Sequence, residues 1–142
     1  MPSLLNYQFM SYSIDIDALN SLVIVKYWNI MSSAEFLDYI AEMEASGPFE
    51  AQYRFLMLLH PDLQLTVSTK AVRKAAQRME VFSENAARVI VAPSSLAFGL
   101  GRLFSLESEH ATDRYSIVRS VPEACQILGA NETLLSLEFA FD

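Results

Sequence analysis

The strand-like runs of this chain are hydrophobic on both sides, and that property constrains its fold more than any other. In Tyr53–Leu59 (YRFLMLL) one parity is Tyr53, Phe55, Met57 and Leu59, and the other is Arg54, Leu56 and Leu58. In Ser21–Trp28 (SLVIVKYW), Val23, Val25 and Tyr27 oppose Leu22, Ile24, Lys26 and Trp28. Successive side chains of a strand point to opposite faces, so a sheet with one wet face needs apolar and polar residues in alternation. These runs do not alternate. A sheet built from them has to be covered on both faces.

Between the runs the hydrophobic period changes to that of a helix. Tyr7–Ile16 and Ser21–Trp28, joined by the turn residues Asp17-Ala18-Leu19-Asn20, read as an N-terminal hairpin. Ser32 with Glu35 is a capping box opening a helix in which Phe36, Leu37, Ile40 and Met43 recur through Glu44, before Ser46-Gly47-Pro48 stops it. Tyr53–Leu59 is a buried strand closed by His60-Pro61-Asp62. A second helix runs over Ser68–Met79, with Val72, Ala75, Ala76 and Met79 inward. Arg88–Ala92 is a strand, and Pro93-Ser94-Ser95 starts a third helix with Leu96, Gly99, Leu100, Leu103 and Phe104 on one side. Arg114–Arg119 is the last strand of the series. Ser120-Val121-Pro122-Glu123 then opens a short helix that Gly129 ends. The order is β-β-α-β-α-β-α-β-α. It predicts one α/β domain over residues 1–142, with a core over 21–129. Its sheet is a mixed, mostly parallel one of five strands, with about four helices chiefly on one face.

The run RVIVAPSSLAFGLGRLF, followed by YSIVRSVPEACQILG, resembles small bacterial proteins with the SpoIIAA-like (STAS-like) fold, many of them uncharacterised. The resemblance covers Ser21–Gly129, and Pro-Ser-Ser-Leu-Ala-Phe-Gly-Leu is its most specific piece. It implies consecutive parallel strands with helices on one face. It also implies a protein-interaction or regulatory module in place of an enzyme. The STAS-like fold is akin to CRAL-TRIO lipid-transfer domains, which gives the alternative of a carrier for a small apolar or acyl ligand, with the loops at His60 and Ser94 at the mouth of its cavity.

If the helices share one face, the other needs a cover. Thr133–Phe141 supplies a candidate strand, with Leu135, Leu137, Phe139 and Phe141 on one parity and Ser136 and Glu138 on the other, able to add to a sheet edge or to pack on the open face. A second copy of the chain, stacked sheet on sheet, is the other candidate and predicts a homodimer.

Phosphorylatable STAS members carry an Asp-Ser-Ser-Gly-like turn before a helix. The matching place is Thr66-Val67-Ser68-Thr69-Lys70, where Ser68 and Thr69 keep hydroxyls but the aspartate and glycine are missing. Ser94 and Ser95 sit between strand and helix, a second candidate position for an anion. Lys70, Arg73, Lys74 and Arg78 lie at helical spacing and form a basic face, suited to an acidic partner, to an anionic membrane surface or to plain solvation.

Composition narrows the function classes. Seventeen acidic against ten basic residues, a formal charge of −7, argue against a nucleic-acid binder. The lone Cys125 excludes an internal disulfide and a thiolate zinc cluster. His60, with Asp62 two residues on, and His110, in the acidic Glu107–Asp113 loop, form no hydrolase or metal set, so neither catalysis, a metal nor a cofactor is expected. The longest apolar run, Phe55–Leu59, is too short to span a bilayer. With no signal-peptide pattern at Met1–Ile16, a cytoplasmic protein with an unidentified protein partner is expected.

Overall fold

A computed structural model describes residues 11–78, 81–83, 85–108 and 115–129. Strands β1 (Tyr12–Asp17), β2 (Leu22–Tyr27), β4 (Arg54–Leu59), β6 (Arg88–Val91) and β7 (Tyr115–Val118) form a five-stranded sheet in the order β1-β2-β4-β6-β7. β1 is antiparallel to β2, and the pairs β2–β4, β4–β6 and β6–β7 are parallel, so the sheet is mixed. Among the described residues four helices accompany it: α1 (Ser33–Ser46), α2 (Thr69–Arg78), α3 (Ser95–Glu107) and α4 (Val121–Leu128).

The β1–β2 hairpin turns where Asp17-Ala18-Leu19-Asn20 predicts. Asp17 Oδ1 accepts the Asn20 amide at 3.1 Å and Oδ2 accepts the Asn20 side-chain amide at 2.7 Å, which lowers the Asp17 carboxyl below its usual value. Ser21 then takes a positive φ of 51° to enter β2. Two short strands escape sequence reading: β3 (Ile30–Met31) and β5 (Gln64–Leu65) pair in parallel as a separate two-stranded sheet. Two residues carry no detectable period. Asn29, at φ 69°, makes the bend between β2 and β3, a conformation asparagine tolerates better than most side chains.

Serine caps set the helix starts. Ser32, Ser94 and Ser120 each accept the backbone N–H three residues on, from Glu35, Ala97 and Glu123. The two capping boxes are only half formed. Glu35 reaches away from Ser32 and accepts the Ser11 amide at 3.2 Å, and Glu123 accepts the Ser120 hydroxyl at 3.0 Å. α4 ends as expected at Gly129, whose φ of 64° is the left-handed cap that glycine takes without strain.

The strand order explains where the helices go. β2, β4, β6 and β7 lie side by side in chain order, so the right-handed rule sends every crossover to the same side. Val23, Val25, Tyr27, Phe55, Met57 and Ile90 pack there against α1, α2 and α3. α4 comes after the last strand and is no crossover. It packs on the opposite face, placing Val121, Ala124, Cys125 and Leu128 against Leu22, Ile24, Leu56, Leu58, Val89, Val91 and Val118. The expectation of helices chiefly on one face is thus met by three of the four. The second face carries a helix of its own, and the case for a second copy stacked on a bare sheet loses its ground. Leu135, Leu137, Phe139 and Phe141 lie outside the described residues.

Of the side of α3 that the sequence predicts to face inward, Phe104 is buried and Leu100 and Leu103 pack against the core, whereas Leu96 and Gly99 face outward. Ala97, Gly101, Phe104 and Ser105 are buried, while Leu96 is 60% exposed and Gly99 has open space beside it. The small residues win because they let the helix approach the sheet. A Cβ on Gly101 would lie 3.2 Å from Ile117 Cγ2 of β7. Arg54 ties the second face together, donating from Nη1 to the Leu128 carbonyl at the end of α4 and from Nη2 to the Asn20 carbonyl.

Truncating Leu128 to alanine should cost about 2–4 kcal/mol in urea unfolding, because it empties a place between α4 and the sheet. A loss under about 0.5 kcal/mol would mean that α4 does not seal that face.

Candidate functional site

The anion-site candidates sit at the ends of helices where their hydroxyls are already used. Ser68 Oγ accepts the Ala71 amide at 3.1 Å, and the Ser68 amide donates to Ser33 Oγ at 2.9 Å. Ser94 Oγ accepts the Ala97 amide at 3.1 Å. Thr69 and Ser95 are the exposed first residues of α2 and α3. The two pairs lie on different helices, and no ligand geometry unites them. Because the strand order never reverses, the sheet lacks the switch-point crevice in which open α/β sheets hold ligands.

The basic face of α2 is exposed, and half of it is matched by neighbouring helices. Arg78 meets Glu44 of α1, and Arg73 Nε lies 3.3 Å from Glu107 Oε1 of α3. Both pairs are surface contacts worth at most about 1 kcal/mol each. They brace α2 between its neighbours and leave Lys70 and Lys74 to solvent. Glu107 is thereby drawn from the acidic loop, and Glu109, His110 and Asp113 lie outside the described residues. At His60, Nδ1 accepts the Asp62 amide at 3.0 Å and closes the turn after β4. Among the described residues no cluster of histidine, cysteine and carboxylates could hold a metal, and no helix is long and apolar enough to cross a membrane.

Two of the spaces in the described structure bear on a site. The first is a cavity of about 50 Å³ between the sheet and α1–α3, walled by side chains such as Met57, Ile90, Phe36, Val72 and Phe104. Its wall is apolar, and its size is far below the roughly 300–1,000 Å³ of a small-molecule pocket. Neither His60 nor Ser94 lines it.

Beside it, phenols crowd the first face. Tyr12, Tyr27 and Tyr39 have ring centroids 5.4–6.3 Å apart, and the buried Tyr27 and Tyr39 hydroxyls find no hydrogen-bond partner among the described residues. Burial pushes the Tyr12 hydroxyl up to about 12, with help from the carboxylates of Glu42, Asp38 and Glu35. Burial raises Tyr27 and Tyr39 further still. Tyr115 also rises through burial, opposed by the Arg88 guanidinium over its ring at 5.2 Å. Arg88 is itself buried, donating from Nη2 to the Ser83 carbonyl at 2.8 Å.

The second space is a groove of about 290 Å³ on the outer side of the sheet, where α3 overhangs β7. Phe98, Arg102, Ser105 and Leu106 form its helical wall, and Tyr115 and Ile117 its strand wall. Arg119 lies just beyond β7, stacked on Phe98 with its guanidinium 4.4 Å from the ring centroid and Nη1 donating to the Pro93 carbonyl at 3.1 Å. Among the described residues neither Arg102 nor Arg119 meets a carboxylate, and no strand pairs with the outer edge of β7.

The two edges of the sheet differ in kind. β1 carries Asp15 and Asp17, charges that discourage pairing, whereas β7 (YSIV) carries none. Sequence reading placed none of these groove residues in a site, because the groove exists only once α3 lies on β7. The one linear signal was the spacing of Phe98, Arg102 and Leu106 at i, i+4 and i+8, which puts them on one side of the helix.

Fold and groove together define an α/β protein in which, among the described residues, no strand pairs with the uncharged outer edge of β7. No family model, curated protein or solved structure matches this chain.

The tyrosine cluster sets a pH limit. A phenol is neutral when protonated, and these groups hold their protons to higher pH folded than the ordinary value of about 10 in the unfolded chain. Their contribution is therefore complete below about pH 10 and is lost as pH rises through the folded values, first that of Tyr12 at about 12. Unfolding stability should decline above pH 10, with phenolate absorbance growing together with loss of circular dichroism. Tyr39→Phe, which deletes a hydroxyl with no partner, should raise stability by about 1 kcal/mol at pH 7. A marked loss would show that the hydroxyl is engaged.

Proposed function

We propose that this protein is a non-catalytic, cytoplasmic interaction module of STAS-like type, which takes an extended segment of a partner protein along the outer edge of β7. The observation that carries the reading is the uncharged β7 edge lying beside a groove with two arginines at its rim. A strand added to an open edge gains main-chain hydrogen bonds, and its alternate side chains enter whatever groove adjoins the edge. Here they would meet Phe98, Leu106 and Ile117. Arg102 and Arg119 then favour carboxylates on the incoming segment, so the partner chemistry is an acidic peptide with apolar residues at every second position. The resemblance to SpoIIAA-like proteins belongs to the same reading, and the chain-order adjacency of β2, β4, β6 and β7 supports it.

The test is fluorescence anisotropy with a labelled ten-residue peptide of alternating glutamate and valine. Binding that weakens with added salt is expected, as is a loss of about tenfold in the Arg102→Glu, Arg119→Glu double variant, equivalent to about 1.4 kcal/mol. Both arginines are exposed, so the reversal leaves the core intact. Equal affinity in the double variant, or no binding at all, overturns the reading. So does sedimentation showing that two copies pair through β7 and exclude the peptide.

A further inference from the structure

The core between the sheet and α1–α3 holds more open space than close packing leaves. Protein interiors reach the density of organic crystals, and voids larger than a water molecule are few. Here about 50 Å³ stays open, although the unbranched, adaptable side chains of Met31 and Met57 stand at its wall. The residues that α3 brings there are part of the reason. Ala97 and Gly101 carry the least side chain of any residues, and Gly101 has no room to grow, since an added Cβ would lie 3.2 Å from Ile117. The wall also has a way in. Met31, Phe36, Met57 and Val72 are buried, but Leu65, Val67 and Leu100 at the rim are only half-buried. Leu65 belongs to β5, a strand of two residues held to β3 by the Gln64 amide on the Asn29 carbonyl and the Thr66 amide on the Met31 carbonyl. So short a ladder opens at far less cost than global unfolding. The β3–β5 pair is a door to the cavity.

We propose that this cavity is a binding site for a neutral, apolar molecule of about two or three heavy atoms, admitted between β5 and α3. Water is a poor occupant, because a buried water needs about two to four polar partners and this wall is apolar. An ion would be buried there with nothing to pair it. Size sets the upper limit. An apolar cavity of about 150 Å³ takes benzene, so one about a third as large suits an occupant about a third the size. Dispersion contacts with the thioethers of Met31 and Met57 and with the Phe36 and Phe104 rings supply the attraction.

The test is nuclear magnetic resonance of the full-length chain with isotope-labelled methionine methyl groups, under rising xenon pressure. Xenon is apolar and enters dry cavities of this kind. The Met31 and Met57 methyls should shift and saturate together, while Met43, buried in the same core but off the cavity wall, should not move. Ethene should displace the xenon, and benzene should not. Val72→Ile adds a methyl group at the wall and should weaken xenon binding about tenfold, a difference of about 1.4 kcal/mol. Ile90→Val removes one and should keep the binding, which separates filling of the cavity from a general disturbance of the core. Shifts that never saturate, or that are no larger at Met57 than at Met43, would overturn the proposal. So would equal xenon affinity in Val72→Ile, loss of binding in Ile90→Val, or displacement by benzene.

Discussion

The sheet at the centre of this protein is dry on both sides, and the rest of the architecture depends on that. Val23, Val25, Phe55, Met57 and Ile90 face one way, and Leu22, Ile24, Leu56, Leu58, Val89 and Val91 face the other. Exposing either set costs about 25 cal/mol for each Å² of apolar surface, so neither face is stable uncovered. Because the parallel strands run in chain order, their connecting helices are confined to one side. The other side has to be covered by chain outside those crossovers, and α4, which follows the last strand, packs there.

The same arrangement decides where polar groups end up. On the first face three helices stand in a row, and α2, the middle one, uses Arg73 and Arg78 to reach Glu107 and Glu44 on its neighbours. What looks like a basic docking face is in good part a brace. On the outer edge, Gly101 lets α3 come down close to Ile117, which brings Phe98, Arg102 and Leu106 beside β7. That close approach creates the groove beside the uncharged β7 strand, so the proposed docking surface is a by-product of helix-to-sheet packing.

Element type and order were legible because each depends on local chemistry: two-sided runs for strands, a 3.6-residue period with serine caps for helices, and Gly129 for a left-handed stop. The parts that were not legible depend on distant partners. β3 and β5 are two residues each and exist because Gln64 and Thr66 find the carbonyls of Asn29 and Met31. Glu35 abandons its capping box for the Ser11 amide, 24 positions away. The stripe Val121, Ala124, Cys125, Leu128 looks like that of any amphipathic helix and says nothing of which face it covers. For α3, the inward side includes Ala97 and Gly101 beside Phe104, and Leu96 is left outside, because the small residues set how closely β7 can be approached. The candidate site was the least legible of all, since its walls come from two elements joined only in the folded chain.

Native-state hydrogen exchange on the free protein addresses the account most directly. Amides of β2, β4 and β6 should exchange last and together, as the buried centre of a single cooperative unit. The amides of β7 that point away from β6 should exchange far faster if, as proposed, that edge is kept for a partner strand; among the described residues no strand pairs with it. Protection of those outer β7 amides equal to that of β4 in the free protein would show the edge already occupied, and would contradict its role as a docking edge.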